Sequence, residues 1–242
     1  MNTSLNRLGI ILGVFFVIGM ALFSFAFFQA RSTDDSLAVT GSAKRLITSD
    51  TVKWTAMIAR TVTMPELKNG YSQLAKDIEI VKKFYTSNGF EEKDLTISPV
   101  TMYQNYDYNY QNSTPENRYY NLQQTITLQS KDVQKVTDLA KNIQDIIDKG
   151  VVFTTQSLEY FYSKLADLRI DLLSEAVKDA NVRAEKIAES GNRNIGALKS
   201  AAMGVVQLLP VNSVDISDYG SYDTMNIEKE AMITVKATFT LR

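Results

Sequence analysis

The chain has neither cysteine nor histidine among its 242 residues. These two absences remove thiolate nucleophiles, Ser-His and Cys-His dyads, imidazole general bases and the usual zinc ligand sets. They also remove disulfides, which are common in oxidising compartments but not required there. An excess of charge of one sign is missing too: 26 Lys and Arg against 27 Asp and Glu leave a formal net charge of −1. No window holds a basic block able to neutralise a run of phosphates, so nucleic acid is not an expected partner. Glycine-rich phosphate loops, serine nucleophile elbows and metal-ligand runs are absent as well. No cofactor, metal or catalytic residue is therefore assigned, and the chain is expected not to be an enzyme.

What is present is an ordinary globular composition, 45% hydrophobic and 22% charged, which argues against wholesale disorder and against many membrane spans. Beyond the N-terminus about 210 residues remain, enough for one compact domain or two small ones. One larger unit is the simpler reading.

Leu8 to Phe28 runs for 21 residues without a charge between Arg7 and Arg31. As a helix it spans roughly 30 Å, the hydrocarbon thickness of a bilayer. A helix apolar on every face for that length is not the core helix of a soluble domain. The competing reading is a cleaved signal peptide, because Ser24-Phe25-Ala26 offers small residues where a signal peptidase reads. The run exceeds the roughly 7 to 15 residues of a signal h-region and only Arg7 precedes it, which favours an uncleaved anchor over residues 1–31. Arg31, Lys44 and Arg45 follow the span, so charge does not favour a cytoplasmic N-terminus. A long C-terminal domain translocates largely regardless of charge, and a signal anchor with the body outside remains the preferred orientation. Residues 32–36 then form a short tether, and residues 37–242 the extracytoplasmic body.

In that body, Leu37 to Ile47 and Thr51 to Met64 read as paired strands turning at Ser49-Asp50, the second alternating Val52, Trp54, Ala56 and Ile58. Pro65 opens a helix with the stripe Leu67, Tyr71, Leu74, Ile78, Val81 and Tyr85, and Gly89 stands at its C-cap. Leu95 to Tyr110 and Arg118 to Ser130 read as a hairpin with a polar tip. Asp132 caps a second helix with the stripe Val133, Val136, Leu139, Ala140, Ile143 and Ile147, stopped by Gly150. A strand over Val151 to Phe161 leads to the longest helix, about Ser163 to Ser190, with Leu165, Leu168, Leu172, Ala176, Ala180, Ala184 and Ile187 on one side. Strands over Ala197 to Leu209 and Met225 to Leu241 close the chain. The order ββα-ββα-βα-ββ predicts an α+β fold with largely antiparallel sheets and amphipathic helices, plus one N-terminal transmembrane helix.

The stretch Ala176-Val-Lys-Asp179-Ala180-Asn-Val-Arg183-Ala184-Glu185-Lys-Ile187-Ala188-Glu-Ser-Gly191 resembles the A-x-x-D-A-x-x-R-A-E-x-L-A-x-x-G pattern of SIMPL-domain proteins, bacterial envelope proteins long classed as of unknown function. Val39-Thr40-Gly41, Asp50, the pattern around Ile97-Ser98-Pro99 and the alternating last strand support it, over about Ser36 to Arg242. The chain departs from the pattern at Asn181, where members often carry Arg, and in an apparent anchor where some members have a cleavable signal. The resemblance implies an extracytoplasmic α+β domain that assembles into ring-like or channel-like homo-oligomers. It also implies a loose link to envelope stress and to a signalling-kinase partner.

Two groups of residues stand out. Asp179 and Arg183 form an i, i+4 acid-to-base pair on the longest helix, read as a structural ion pair rather than a charged cleft site. Tyr103, Tyr106, Tyr108, Tyr110, Tyr119 and Tyr120 place half of the 12 tyrosines around one hairpin tip. They are read as an interface toward another subunit or a partner protein, against a solvated loop with ordinary aromatic pairs or a sugar platform. The Asn112-Ser113-Thr114 sequon is taken as accidental. The expected partners are the chain itself, the bilayer through Leu8 to Phe28, and an envelope protein. The leading expectation is an anchored oligomeric scaffold, the alternative a monomeric module presenting the Tyr-rich hairpin. Counting carboxylates leaves a hydrolase with an acid/base pair open, but no motif brings two of them together.

Overall fold

A computed structural model describes residues 3–32, 35–105, 118–213 and 219–242. Its elements are α1 (Thr3–Ser32), β1 (Ser36–Thr48), β2 (Thr51–Thr63), α2 (Leu67–Ser87), β3 (Leu95–Ile97), β4 (Thr101–Gln104), β5 (Tyr119–Ser130), α3 (Val133–Lys141), α4 (Gln144–Ile147), β6 (Phe153–Phe161), α5 (Leu165–Ser190), β7 (Ile195–Met203), β8 (Gln207–Pro210) and β9 (Glu228–Leu241). The fold is α+β, with every strand ladder antiparallel where its register is described. The apolar run of the sequence lies within α1, whose residues Gly9–Phe28 are long and apolar enough to cross a membrane and are exposed throughout. This is consistent with a membrane anchor or a signal sequence.

The chain forms two compact units, each discontinuous in sequence. One comprises residues 1–43, 170–205 and 233–242, the other residues 44–169 and 206–232. The larger unit is built on the sheet β3-β5-β2-β6, with β4 also paired to β5. The alternation in β2 does what period two requires: Val52, Trp54, Ala56 and Ile58 are fully buried. Leu74, Ile78, Val81, Phe84 and Tyr85 of α2 pack on them. Trp54 meets Tyr85 and Phe153 edge-on, ring centroids 5.3 and 5.8 Å apart, the geometry that aromatic quadrupoles favour. Gly89 takes the left-handed conformation at φ 80° that ends α2.

In the smaller unit β9 lies between β1 and β7. Helix α5 covers β1 and β9, with Ala180 and Ala184 packed against Val39, Ala237 and Phe239.

Several expectations need correction, among them the strand from Leu95, which is interrupted at 98–100 into β3 and β4, and Tyr71 of the α2 stripe, which is exposed. The strands either side of Ser49-Asp50 do not pair with each other: β1 joins β9, whereas β2 lies between β5 and β6. Both turn residues are engaged elsewhere, which explains why a short connection makes no hairpin. The Ser49 N–H donates to Ile227 C=O, and the Asp50 carboxylate accepts from the Ser163 N–H at 2.8 Å and its Oγ at 2.7 Å. The second predicted helix breaks at Asn142-Ile143 into α3 and α4, which changes the phase, so that Ile146 is buried and Ile147 is 41% exposed. On α5 the stripe ends at Ala188 rather than Ile187, because the buried positions step strictly by four from Leu168. The strand expected over Ala197 to Leu209 is interrupted at 204–206 into β7 and β8.

Candidate functional site

The strand and helix motifs that carry most of the resemblance meet in the smaller unit. Gly41 lies under α5 so closely that a Cβ there would collide with the backbone of Ala176 and Ala180. The next residue, Ser42, donates its backbone N–H to Asp179 Oδ2 at 2.7 Å. Arg183 Nε stands 2.8 Å from the same oxygen. The strand motif Val39-Thr40-Gly41 and the helix motif Ala176 to Arg183 are thus two sides of one seam, with small residues permitting the approach and one carboxylate fastening it. The Ser42 N–H, then Arg183, hold the Asp179 carboxyl below its ordinary range. A carboxyl held ionised and occupied by two donors is a clamp, poorly suited to general acid work. In the larger unit Asp50 has a similar task. Burial pushes its carboxyl up, but the hydrogen bonds from Ser163 and Thr51 outweigh that and leave it low.

The six tyrosines separate. Tyr106, Tyr108 and Tyr110 lie outside the described residues. Tyr103 stands opposite Asn121 in the β4–β5 ladder, and Tyr119 is two residues from Asn121 on the same strand. Tyr103 and Tyr119 therefore share the outer face, 46% and 55% exposed. Tyr120, opposite Val62, turns to the other face and packs on the core. The Tyr103 hydroxyl accepts from Gln123 Nε2.

A half-buried ion pair and a buried lysine escaped the sequence reading. Arg60 on β2 grips Asp77 on α2 with both carboxylate oxygens engaged, Nε to Oδ2 at 2.6 Å and a terminal nitrogen to Oδ1 at 2.8 Å, and that nitrogen also reaches Gly150 C=O at 3.0 Å. Lys229 is fully buried, donates to Tyr160 C=O and stands 5.7 Å from the centre of the Tyr222 ring. Burial pushes its ammonium pKa down, partly offset by Asp223. The signal was available in both cases: Arg60 and Lys229 fall on the apolar phase of their strands, and Asp77 falls on the stripe of α2, three residues past Leu74.

A cleft of about 400 Å³ beside α2 and α3 is lined in part by Lys135, Asp138 and Asp145. Two of these charges are engaged locally. Lys135 lies 4.7 Å from the centre of the Phe90 ring, and Asp138 takes Gln134 and Lys141, which hold its carboxyl low. Among the described residues no three or more Asp or Glu converge in a way that could hold a metal ion.

No protein of curated function matches the chain. A family model described as SIMPL, protein of unknown function (DUF541), matches residues 37–241. Gly41, Asp50, Asp179 and Arg183, which carried the resemblance, all lie within that match, and the chain belongs to the SIMPL family.

Proposed function

We propose that this protein is a membrane-anchored structural component of the bacterial cell envelope, its body on the extracytoplasmic side, which associates with copies of itself into an oligomeric scaffold of ring-like or channel-like form. The observation that carries the reading is the segment Gly9–Phe28 of α1, apolar and exposed. Such a surface is stable only against lipid or other apolar helices. Anchored copies share one plane and meet at a raised effective concentration, so modest contacts between bodies suffice for assembly. The motif residues support a structural role rather than an enzymatic one, since they fasten strand to helix and helix start to turn. Light scattering on the full chain in mild detergent tests the reading: several copies per particle are expected, and a strictly monomeric particle overturns it. Protease added outside intact spheroplasts should degrade the body; protection would reverse the orientation.

The exposed pair Tyr103 and Tyr119 favours a second reading, a monomeric module that offers the hairpin to a ligand or an envelope protein. Under it, deleting Gln104 to Asn117 abolishes partner capture in envelope cross-linking while the particle mass stays that of one chain.

A further inference from the structure

Strand β7 is bonded to β9 along one side and, among the described residues, to no strand along the other. All seven residues from Ala197 to Met203 are exposed. Natural edge strands are guarded by bulges, lysines or prolines that prevent pairing with another chain. Here the guards are confined to the first half: the register with β9 shifts between Ile195 and Leu198 and again between Leu198 and Ser200, and Lys199 is the one charge in the strand. From Ser200 to Met203 the ladder is regular, opposite Thr238 to Val235, and the sequence Ser-Ala-Ala-Met has neither charge nor proline. The helical cover also stops short. Met203 is 51% exposed although its ladder partner Val235 is 1% exposed, and Val205 just beyond is 51% exposed.

The other edge of the same three strands is blocked at one point, near Gly41 and Ser42. On β1, α5 presses on Gly41, and the Ser42 N–H is taken by Asp179, itself held by Arg183. Head-to-tail sheet extension needs two open edges, whereas like-with-like pairing needs one.

We infer that Ser200–Met203 pairs antiparallel with the same run of a second copy, joining two β1-β9-β7 layers across a two-fold axis into one continuous sheet. This deepens the self-association proposed above and rests on it. Strand addition satisfies the free N–H and C=O groups of the edge and covers the apolar side chains beside it. The one charge of β7 does not oppose the arrangement: with Ala201 at the axis, Lys199 faces Met203 of the partner subunit and not its own counterpart. Any larger assembly then adds a second surface to this pair.

The cysteine-free chain makes the test clean. Opposed residues of an antiparallel pair lie about 4.5 to 5.5 Å apart at Cα, within disulfide reach. Single variants of the full chain, Ser200→Cys, Ala201→Cys, Ala202→Cys and Met203→Cys, are oxidised in native membranes beside the exposed control Glu185→Cys. A covalent dimer is expected, strongest at the one or two positions nearest the axis and absent for the control. Ala202→Lys, at an exposed position, is expected to lower the dimer fraction about tenfold with an unchanged circular dichroism spectrum. No cross-link at any of the four positions in a chain that still oligomerises would overturn this interface and leave self-association standing. Efficient cross-linking of Ala202→Cys to Thr40→Cys on a second copy would replace the two-fold pair with head-to-tail addition. A monomeric unmodified chain would remove both proposals.

Discussion

Asp179 Oδ2 on α5 accepts the backbone N–H of Ser42 on β1 at 2.7 Å while Arg183 Nε approaches the same atom at 2.8 Å. The Ser42 N–H and the guanidinium depress the carboxyl in the folded state. A depressed carboxyl contributes stability that is fully present above its unfolded pKa, near 3.8, and is lost as pH falls through the lower folded value. Asp179→Asn is therefore expected to cost about 1 kcal/mol at neutral pH, a hydrogen bond to a charged group discounted for partial exposure. It should also make stability fall less steeply below that pH. Urea unfolding of the body followed by circular dichroism from pH 7 to 3 checks both; parallel acid profiles for the two proteins would contradict the clamp.

Gly41 is the steric counterpart of that clamp. A Cβ would meet the Ala176 carbonyl and the Ala180 amide, backbone atoms that cannot turn aside. Gly41→Ala is expected to destabilise by about 1 to 3 kcal/mol and Gly41→Val by more, as overpacking does. The same measurement decides it, and a Gly41→Ala protein as stable as the parent would show that α5 does not approach β1 this closely.

In the larger unit the Arg60–Asp77 pair is the more costly one to break, because Asp77 is only 5% exposed. Asp77→Ala leaves the guanidinium half-buried and unpaired, with an expected loss of about 3 to 5 kcal/mol. Replacing both, Arg60→Met with Asp77→Leu, should recover most of it. If the double variant loses as much as the sum of the single ones, the two side chains act independently and the pair is not the source of the effect.

Much of this fold was legible because its strands and helices keep their periods: Val52 to Ile58 alternate, α2 steps by three and four, Asp132 caps α3 through its carboxylate and Gly89 ends α2 through its positive φ. The pairing of β1 was not legible. Ser49-Asp50 reads locally as a hairpin turn, and only Ile227 and Ser163, more than a hundred residues away, take up its polar groups. For the same reason Asp179 was visible as a partner of Arg183 at i+4 but not as the acceptor of Ser42, 137 positions away. The ends of the stripes failed for a local reason, since one break at Asn142 or a strict four-residue step moves a neighbouring isoleucine off the buried face.

Removing residues 1 to 31 is expected to leave a folded, soluble body, because both sheets and their helices close cores that, among the described residues, contain none of α1. The truncated chain should self-associate at least tenfold more weakly, since the loss of a shared plane lowers effective concentration. Sedimentation velocity over a range of concentrations measures this. An insoluble product would contradict the independence of the body, and undiminished association would assign assembly to the body alone.

The central claim, that anchored copies assemble with one another, is tested most directly by counting them where they reside. Full-length chains carrying one fluorophore each at the C-terminus, imaged as isolated spots in native membranes, should bleach in two or more steps. Spots that bleach in a single step at every expression level would contradict it.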